Sequence, residues 1–218
     1  MKIENIEVYG FKASLRAMRN PKDSWHLSDS YVSQESDEVL KNFIIEKKYE
    51  ENVEKFVLGD KDIILSQTLS KAGTEHCKHL RFIQVWFDLT LPRFMWQEWD
   101  TYKFAERLSC STMHKLTSKE LTTGDFEYGI KKHALADLNE LIRMSVDKNA
   151  SKYKRKMAFL QLKNDLPEGF LQKRTITTNY QEALNIHYQR EHHPLPQWQA
   201  IDDMILRLPY FIKLTGVV

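Results

Sequence analysis

The stretch HLRFIQVWFDLTL, residues 79–91, decides how the rest of the chain is interpreted. It is rich in β-branched and aromatic residues, which is the composition typical of strands. Its apolar side chains alternate toward one face at Ile83, Val85, Phe87 and Leu89. Phe82 and Trp86 keep the opposite face from being fully polar. We therefore predict a central strand over residues 79–91 that is covered on both faces.

Helical patterns precede and follow this strand in the sequence. Apolar spacing, caps and breakers predict helices over residues 38–54, 60–72, 92–102, 125–147 (or from 128), 151–162, 179–190 and 197–208. Ser36 or Asp37 is expected to cap the first and Asp60 the second, with Gly73 as its stop. Short strands are expected at residues 3–9 and 175–177, and irregular chain at 103–118. We predict a helix-rich α+β fold in one domain, residues 1–218.

One of these helices has a predicted buried face that can be checked directly. In the helix over residues 60–72, we expect Ile63, Ile64, Leu65, Leu69 and Ala72 to supply the buried face.

Composition restricts the class of protein. The 218 residues are 42% hydrophobic and 28% charged with a formal net charge of +2, so no whole-molecule field attracts nucleic acid and no specific nucleic-acid binding is expected. No apolar run reaches the roughly 20 residues that span a bilayer, so no membrane insertion is expected. The first residues lack the apolar segment of a secretory signal. We expect a cytoplasmic protein whose two cysteines, Cys77 and Cys110, are reduced.

The corner GTEHCKHLR, residues 73–81, carries His, Cys, Lys and Arg side chains just before the strand. A metal site would need a second group of ligands, and the chain has no second cysteine pair, so no metal is predicted. Two interpretations remain open. The segment is a polar turn, or its donors at His76, Lys78, His79 and Arg81 form a pocket for an anion.

The segment EWDTYKFAERLSCSTMHKL, residues 98–116, is unusually polar for chain that follows a buried strand. Ser109, Ser111 and His114 invite a serine-nucleophile interpretation, but no G-x-S-x-G elbow is present. The two serines with Arg107 suit an anionic or polyhydroxy ligand better, and a solvated loop is the alternative. Neither G-x-G-x-x-G nor G-x-x-x-x-G-K occurs, which excludes a Rossmann fingerprint and a P-loop.

Two basic features elsewhere have ordinary explanations beside functional ones. Arg190 ends a predicted helix, where a cation suits the macrodipole. Its guanidinium can equally bind a phosphate or carboxylate with two hydrogen bonds. The run KYKRK, residues 152–156, is typical of a solvated helix face.

The order of these segments resembles that of the flavin-dependent thymidylate synthases. ASLRAMRNP (residues 13–21) is similar to the family's early Ser/Arg segment, and AGTEHCKHLRF (72–82) to its GH…EH corner. QEWDTYKFAERLSCSTMHK (97–115) lies where the signature R-H-R-x-x-S-x-N-x-x-S-x-R-Y is expected, with Glu98-Trp99-Asp100 in place of Arg-His-Arg. TNYQEALNIHYQREHHPLPQWQAIDDMI (178–205) is similar to the C-terminal helices. The resemblance covers roughly residues 10–210 and is closest to a divergent branch found in phages and Gram-positive bacteria.

The resemblance implies a fold and a reaction. The fold is a central mixed or antiparallel sheet with a helical bundle. The reaction is reductive methylation of dUMP at C5, with methylenetetrahydrofolate as carbon donor and FAD with NADPH as the source of hydride. The expected partners are a deoxyuridine-type nucleotide and folate, and the expected assembly is a homotetramer.

The resemblance also implies roles for single residues. Ser109 is the expected catalytic residue. The expected substrate-binding residues are Arg190, Ser111, Arg107, Arg16 and Arg19. The expected FAD-binding residues are His76, Lys78, His79, Arg81 and Asn179. Replacing Arg-His-Arg by Glu98-Trp99-Asp100 reverses the local charge, which disfavours a diphosphate unless the basic corner compensates and Trp96, Trp99 or Tyr102 stacks on the flavin ring.

Two other functions are compatible with the same residues, because a fold does not fix an activity. One is a nucleotide-binding homologue that has lost its flavin site. The other is a purely structural oligomer.

Overall fold

The computed structural model describes residues 1–35, 38–47 and 55–217, with the backbone alone for 43–47. The strands are β1 (Lys2–Tyr9), β2 (Tyr31–Val32), β3 (Phe56–Val57), β4 (Gln84–Pro92), β5 (Glu106–Ser109) and β6 (Leu171–Asn179). The helices are α1 (Phe11–Arg19), α2 (Glu38–Lys47), α3 (Asp60–Lys71), α4 (Arg93–Trp99), α5 (Thr112–Lys115), α6 (Lys132–Val146), α7 (Lys152–Asp165), α8 (Tyr180–Arg190), α9 (Pro196–Leu206) and α10 (Phe211–Thr215). The α+β class predicted from the sequence is confirmed.

Four of the strands form one sheet in the order β1-β4-β6-β5. The predicted strand over residues 79–91 is therefore an inner strand, β4, with a neighbour on each side. The remaining two strands, β2 and β3, pair antiparallel with Tyr31 opposite Val57.

The alternation predicted for β4 is confirmed, since Val85, Phe87 and Leu89 are buried and the residues between them are partly exposed. Its predicted start at residue 79 is wrong. Residues Cys77–Phe82 form a 3-10 turn instead. The turn is held in place because the Ser14 hydroxyl donates to the carbonyl of His79 at 2.8 Å, which a sequence pattern does not reveal.

The prediction of irregular chain over residues 103–118 is wrong, because β5 and α5 lie within it. β5 has the exposed sequence ERLS, with no apolar alternation. It is extended because it lies beside β6 in the sheet, and the pairing continues where the amide of Cys110 donates to the carbonyl of Lys173 at 2.9 Å. Backbone pairing does not require an apolar side-chain pattern.

The predicted inward face of α3 is partly wrong. Ile64 is 65% exposed, whereas the polar residues Asp62 and Ser66 are fully buried. Each of these two has a buried polar partner on another element, Arg19 for Asp62 and His79 for Ser66. A buried polar side chain is stable only with such a partner, so the periodicity of apolar residues misjudged this face. Gly73 follows the helix at a φ of 110°, which confirms it as the stop.

Helix boundaries differ elsewhere. α4 ends at Trp99 rather than 102, and α6 begins at Lys132 rather than 125 or 128. The predicted start at 125 lies in a separate 3-10 turn, Thr123–Asp125, with a capping box formed by Thr122 and Asp125. α8 and α9 agree with their predictions to within two residues. The predicted caps Ser36 and Asp37 and the end of the first helix, residues 48–54, lie outside the described residues. No pattern predicted α10.

The chain divides into two compact units. The first contains residues 1–3, 89–101 and 107–175, and its core includes an apolar cluster of Leu116, Leu121, Phe126, Leu138, Ile142, Leu162 and Leu166. The second contains residues 4–88, 102–106 and 176–218 and has an aromatic core. In that core the rings of Phe11 and Tyr210 meet edge to face at 5.3 Å, and the Tyr210 hydroxyl donates to the carbonyl of Phe56 at 2.7 Å. A single domain over residues 1–218 remains a prediction.

None of the described helices has the length and apolarity needed to cross a bilayer.

Candidate functional site

The residues predicted to form one site are distributed over both compact units. Arg107, Ser109 and Ser111 belong to the first unit. The predicted residues in the second unit are Arg16, Arg19, His76, Lys78, His79, Arg81, Asn179 and Arg190. Each group has its own geometry.

In the first unit, Asp100 forms ion pairs with two arginines. Its Oδ1 lies 2.6 Å from Nε of Arg107 and 2.9 Å from Nη1 of Arg174. The Arg174 guanidinium lies 4.2 Å from the centre of the Trp96 ring. Burial lowers the pKa of Arg174, and Asp100 partly opposes that shift. The acidic residue that replaces the signature's second arginine therefore neutralises part of the positive charge of Arg107 and Arg174.

The tryptophans beside this cluster belong to the core. Trp96 is 1% and Trp99 0% exposed, and their rings meet edge to face at 6.3 Å. The Trp96 indole donates to the carbonyl of Gln172 at 2.9 Å. The expectation that Trp96 or Trp99 stacks on a bound ring is wrong, because neither ring has an accessible face.

Ser109 and Ser111 lie near the surface of the first unit. Ser109 is the exposed last residue of β5, and no described residue hydrogen-bonds to its hydroxyl. Ser111 is the N-cap of the short helix α5, without a side-chain cap bond. Next to it, Lys163 donates to the hydroxyl of Thr112 at 2.5 Å. Partial burial lowers the pKa of Lys163, and Arg93 adds to the effect.

The basic corner of the second unit does not present all its donors to one point. His76 and Lys78 are exposed, whereas His79 is 3% exposed. The guanidinium of Arg81 donates to the side-chain oxygen of Gln181 and lies 5.5 Å from the Phe104 ring. Arg81 is thus held against neighbouring side chains.

His79 is a buried neutral histidine. Its Nε2 lies 2.8 Å from the hydroxyl of Ser66, and that hydroxyl donates to the carbonyl of Leu214 at 2.7 Å. Ser66 therefore accepts a hydrogen bond from the protonated Nε2, which leaves Nδ1 as the unprotonated nitrogen. Nδ1 has no hydrogen-bond partner in the described part of the chain. Burial lowers the pKa of His79 to about 4, so the ring carries no charge at neutral pH.

Asn179, an expected FAD-binding residue, has a structural role at the start of α8. Its side-chain oxygen accepts from the amide of Glu182 at 3.0 Å and caps α8. Thr178 instead donates its hydroxyl to the carbonyl of Phe104 at 3.1 Å.

Arg190 lies at the other end of α8 and is fixed by two aromatic side chains. Its Nε donates to the Tyr102 hydroxyl at 2.9 Å, and its guanidinium lies 4.4 Å from the Trp198 ring. Tyr102 and Trp198 are 4% and 0% exposed and meet edge to face at 5.8 Å. The half-buried guanidinium thus has a set orientation, which reduces the entropy lost when it binds an anion.

The packing of α8 on α9 keeps Trp198 in this position. His187 on α8 lies 2.8 Å from Asp202 on α9, and both side chains are nearly buried. Sequence reasoning found Arg190 but missed Tyr102 and Trp198 as the residues that hold it. The only available signal was the aromatic character of Tyr102 within a polar segment.

Arg16 and Arg19 lie away from the Arg190 cluster in sequence and share none of its contacts. Arg19 is buried and donates from Nε to Asp62 at 2.7 Å, while Arg16 is exposed. Both line a pocket of about 190 Å³ beside α1. Within the described ranges, no group of three or more His, Cys, Asp or Glu side chains has the arrangement of a metal site.

Comparison with known proteins places the fold. No family model matches the sequence, and no curated protein matches it. The structure matches a crystal structure of flavin-dependent thymidylate synthase ThyX from Helicobacter pylori complexed with FAD and dUMP, with 15% identity, a TM-score of 0.68 and coverage of 99% of this chain and 97% of that one. A second structure of that enzyme with FAD and dUMP has 14% identity and the same TM-score of 0.68. The protein has the fold of the flavin-dependent thymidylate synthases.

Proposed function

We propose that this protein is thymidylate synthase-like and binds a deoxyuridine nucleotide, with Arg190 as the residue that holds its phosphate. The observation that carries the proposal is the fixed guanidinium of Arg190. The structural neighbours, which bind dUMP, support the choice of nucleotide. Ser109, Ser111 and Arg107 remain proposed nucleotide-binding residues of the first unit.

The diphosphate of FAD needs several converging cations or amide donors, and the residues proposed for FAD do not supply them together. His79 is neutral and buried, and Asn179 is used as a helix cap. Asp100 contributes a carboxylate where the resemblance implies an arginine. The donors that remain for FAD are the exposed His76 and Lys78 together with Arg81. They are fewer than the resemblance implies. These residues do not fit the expected FAD-binding site.

Reductive methylation of dUMP with methylenetetrahydrofolate, FAD and NADPH is the second candidate function. The fold match over 99% of this chain to enzymes crystallised with FAD favours it. If this second candidate is right, we propose that the protein also forms a homotetramer and binds folate. Whether the protein binds flavin distinguishes the two candidate functions.

The nucleotide proposal is tested by titrating dUMP into the purified protein in a calorimeter, with deoxyuridine as the ligand that lacks phosphate. Arg190→Gln should weaken the binding of dUMP by about 1.5–3 kcal/mol, or roughly ten- to a hundredfold in affinity, because a charge-assisted hydrogen bond is lost. Arg207→Gln, at an exposed position after α9, is the matched control. Equal affinity in the Arg190 variant and the wild type would contradict the assignment.

The flavin question needs a separate measurement. Absorbance at roughly 450 nm, a property of the flavin itself, reports FAD in the purified protein or after its addition. Protein that takes up FAD in stoichiometric amount would favour the second candidate. Protein that binds dUMP but no FAD would favour the nucleotide-binding homologue.

A further inference from the structure

Helix α1 presents three cations on one side. Lys12 and Arg16 are four residues apart, and Arg19 follows one turn later, so all three lie along one stripe of the helix. This stripe faces the segment of residues 25–32 and the strand residue Phe56. Together these elements enclose the pocket of about 190 Å³ introduced above.

The inner wall of this pocket is apolar and rigid. Leu15 and Phe56 line it and are 3% and 1% exposed. The ring of Phe56 stacks on that of Phe11 in the aromatic core at 5.9 Å. The wall therefore exists before any ligand arrives, which lowers the cost of binding.

A buried ion pair holds the polar side of the pocket. Asp62 accepts from Nε of Arg19 at 2.7 Å, from the Ser28 hydroxyl at 2.6 Å and from the amide of Ser30 at 3.2 Å. Asp62 is thus fully satisfied and fixes residues 28–30 against α1 and α3. The neighbouring Asp29 faces α3, where it accepts from the amides of Lys61 and Asp62.

The outer wall exposes aromatic rings. Trp25 is 50% and Tyr31 57% exposed, and the indole of Trp25 is oriented by a bond to the Asn20 side chain at 2.7 Å. Large aromatic side chains that remain exposed beside a pocket are typical of a binding surface. A flat ring inserted there would gain contact with both.

The charge of the pocket is positive. Its described lining contains Lys12, Arg16 and Arg19 and no carboxylate, and Asp62 behind it offsets Arg19, so among the described lining residues Lys12 and Arg16 are the two cations without a counter-charge. Within the described part of the chain, no carboxylate lies within ion-pair distance of Lys12 or Arg16. Two cations match a phosphate monoester, whose charge is about −1.5 to −2 at neutral pH.

We propose that this pocket is a second ligand site, which binds a small phosphate monoester that carries an aromatic ring. Lys12 and Arg16 bind the phosphate, and Trp25 and Tyr31 hold the ring against Leu15 and Phe56. The site is distinct from the proposed nucleotide site, because its lining shares no residue with the cluster of Arg190, Tyr102 and Trp198.

Phenyl phosphate is the probe, measured by calorimetry on the whole chain, with inorganic phosphate and benzyl alcohol as its two halves. Lys12→Gln and Arg16→Gln should each lower the affinity for phenyl phosphate by roughly tenfold, because each removes a charge-assisted hydrogen bond. Trp25→Leu should weaken phenyl phosphate and leave inorganic phosphate unchanged. All three side chains are exposed, and an unchanged melting temperature verifies that the variants are folded.

Two control variants separate this site from the one at Arg190. Lys152→Gln, an exposed lysine on α7, should leave phenyl phosphate affinity unchanged, and so should Arg190→Gln. Binding that survives the combined Lys12→Gln and Arg16→Gln changes, or that disappears with Arg190→Gln, would overturn the proposal. So would inorganic phosphate binding as tightly as phenyl phosphate. Failure of dUMP to bind, with phenyl phosphate still bound, would affect only the proposed function.

Discussion

Arg190 and Tyr102 are 88 residues apart in the sequence, yet the guanidinium Nε of one donates to the hydroxyl of the other at 2.9 Å. The hydrogen bond to the hydroxyl orients the guanidinium, and the contact with the Trp198 ring sets the position of the guanidinium relative to that ring. The proposed phosphate-binding group is therefore oriented by a residue from the segment that resembles the synthase signature.

Tyr102→Phe tests this orientation. The ring and its packing remain, but the hydrogen bond to Arg190 is lost, which costs about 0.5–1.5 kcal/mol. We expect dUMP to bind roughly three- to tenfold more weakly in the calorimeter, with the melting temperature little changed. Tyr188→Phe, at a tyrosine that is 60% exposed, is the control. If both variants bind dUMP as the wild type does, Tyr102 does not orient the binding group.

Asp62→Asn tests the buried ion pair with Arg19. The two side chains are 0% and 4% exposed, so the substitution leaves a buried guanidinium without its counter-charge. We expect a loss of about 3–5 kcal/mol in the free energy of unfolding, measured with urea.

A double variant and a surface variant complete that experiment. Arg19→Met with Asp62→Leu removes both charges and should recover much of the loss, because no unpaired charge stays buried. Glu140→Gln breaks an exposed pair with Arg143 and should change stability little. A loss for Asp62→Asn no larger than that of Glu140→Gln would show that the buried pair is not the source of stability.

His79 predicts a dependence of stability on pH. Burial holds its pKa at about 4 in the folded protein, below the ordinary 6.5. As the pH falls below 6.5, the unfolded chain takes up a proton on this ring while the folded chain does not, so the folded state loses stability. The loss is complete near pH 4 and amounts to about 3 kcal/mol.

The contribution of His79 is isolated by comparison with His79→Gln, whose side chain does not titrate. Urea unfolding of both proteins at pH 7.5 and at pH 4.5 gives two changes in stability. We expect the change to be smaller in the variant. Equal changes would mean that other groups account for the whole effect.

The two cysteines should differ in reactivity. Cys110 is exposed, and Cys77 is 2% exposed with a pKa that burial raises. Because the thiolate is the reactive form, a disulfide reagent should label Cys110 quickly and Cys77 only on unfolding. Cys110→Ser should remove the fast phase of labelling. A fast phase that persists in this variant would contradict the burial of Cys77.

Much of the fold followed from local patterns. β4 showed its alternation, and α8 and α9 showed periodicity between recognisable caps and breakers. β5 gave no such signal, because its extended form depends on β6 rather than on its own side chains. The buried face of α3 was misjudged for a related reason. Asp62 and Ser66 are stable inside only through partners on other elements.

The residues of the candidate site were likewise only partly predictable from the sequence. The sequence identified Arg190 as a cation at a helix end and Arg16 and Arg19 as phosphate candidates. It did not distinguish the exposed donors of the basic corner from the neutral His79, because burial of that ring lowers its pKa. It also gave no sign of the pocket beside α1, whose walls come from residues 12–32 and Phe56.

The sequence by itself determined the secondary structure with strong periodicity, the helix-rich α+β class, and the order of segments that resembles a synthase. Only the tertiary structure decided which polar side chains are paired and which can meet a ligand. The physical reason is that periodicity is a property of neighbouring residues, whereas burial, ion pairing and pKa depend on groups brought together from distant parts of the chain. Arg190 with Tyr102, and Arg19 with Asp62, are two such pairs.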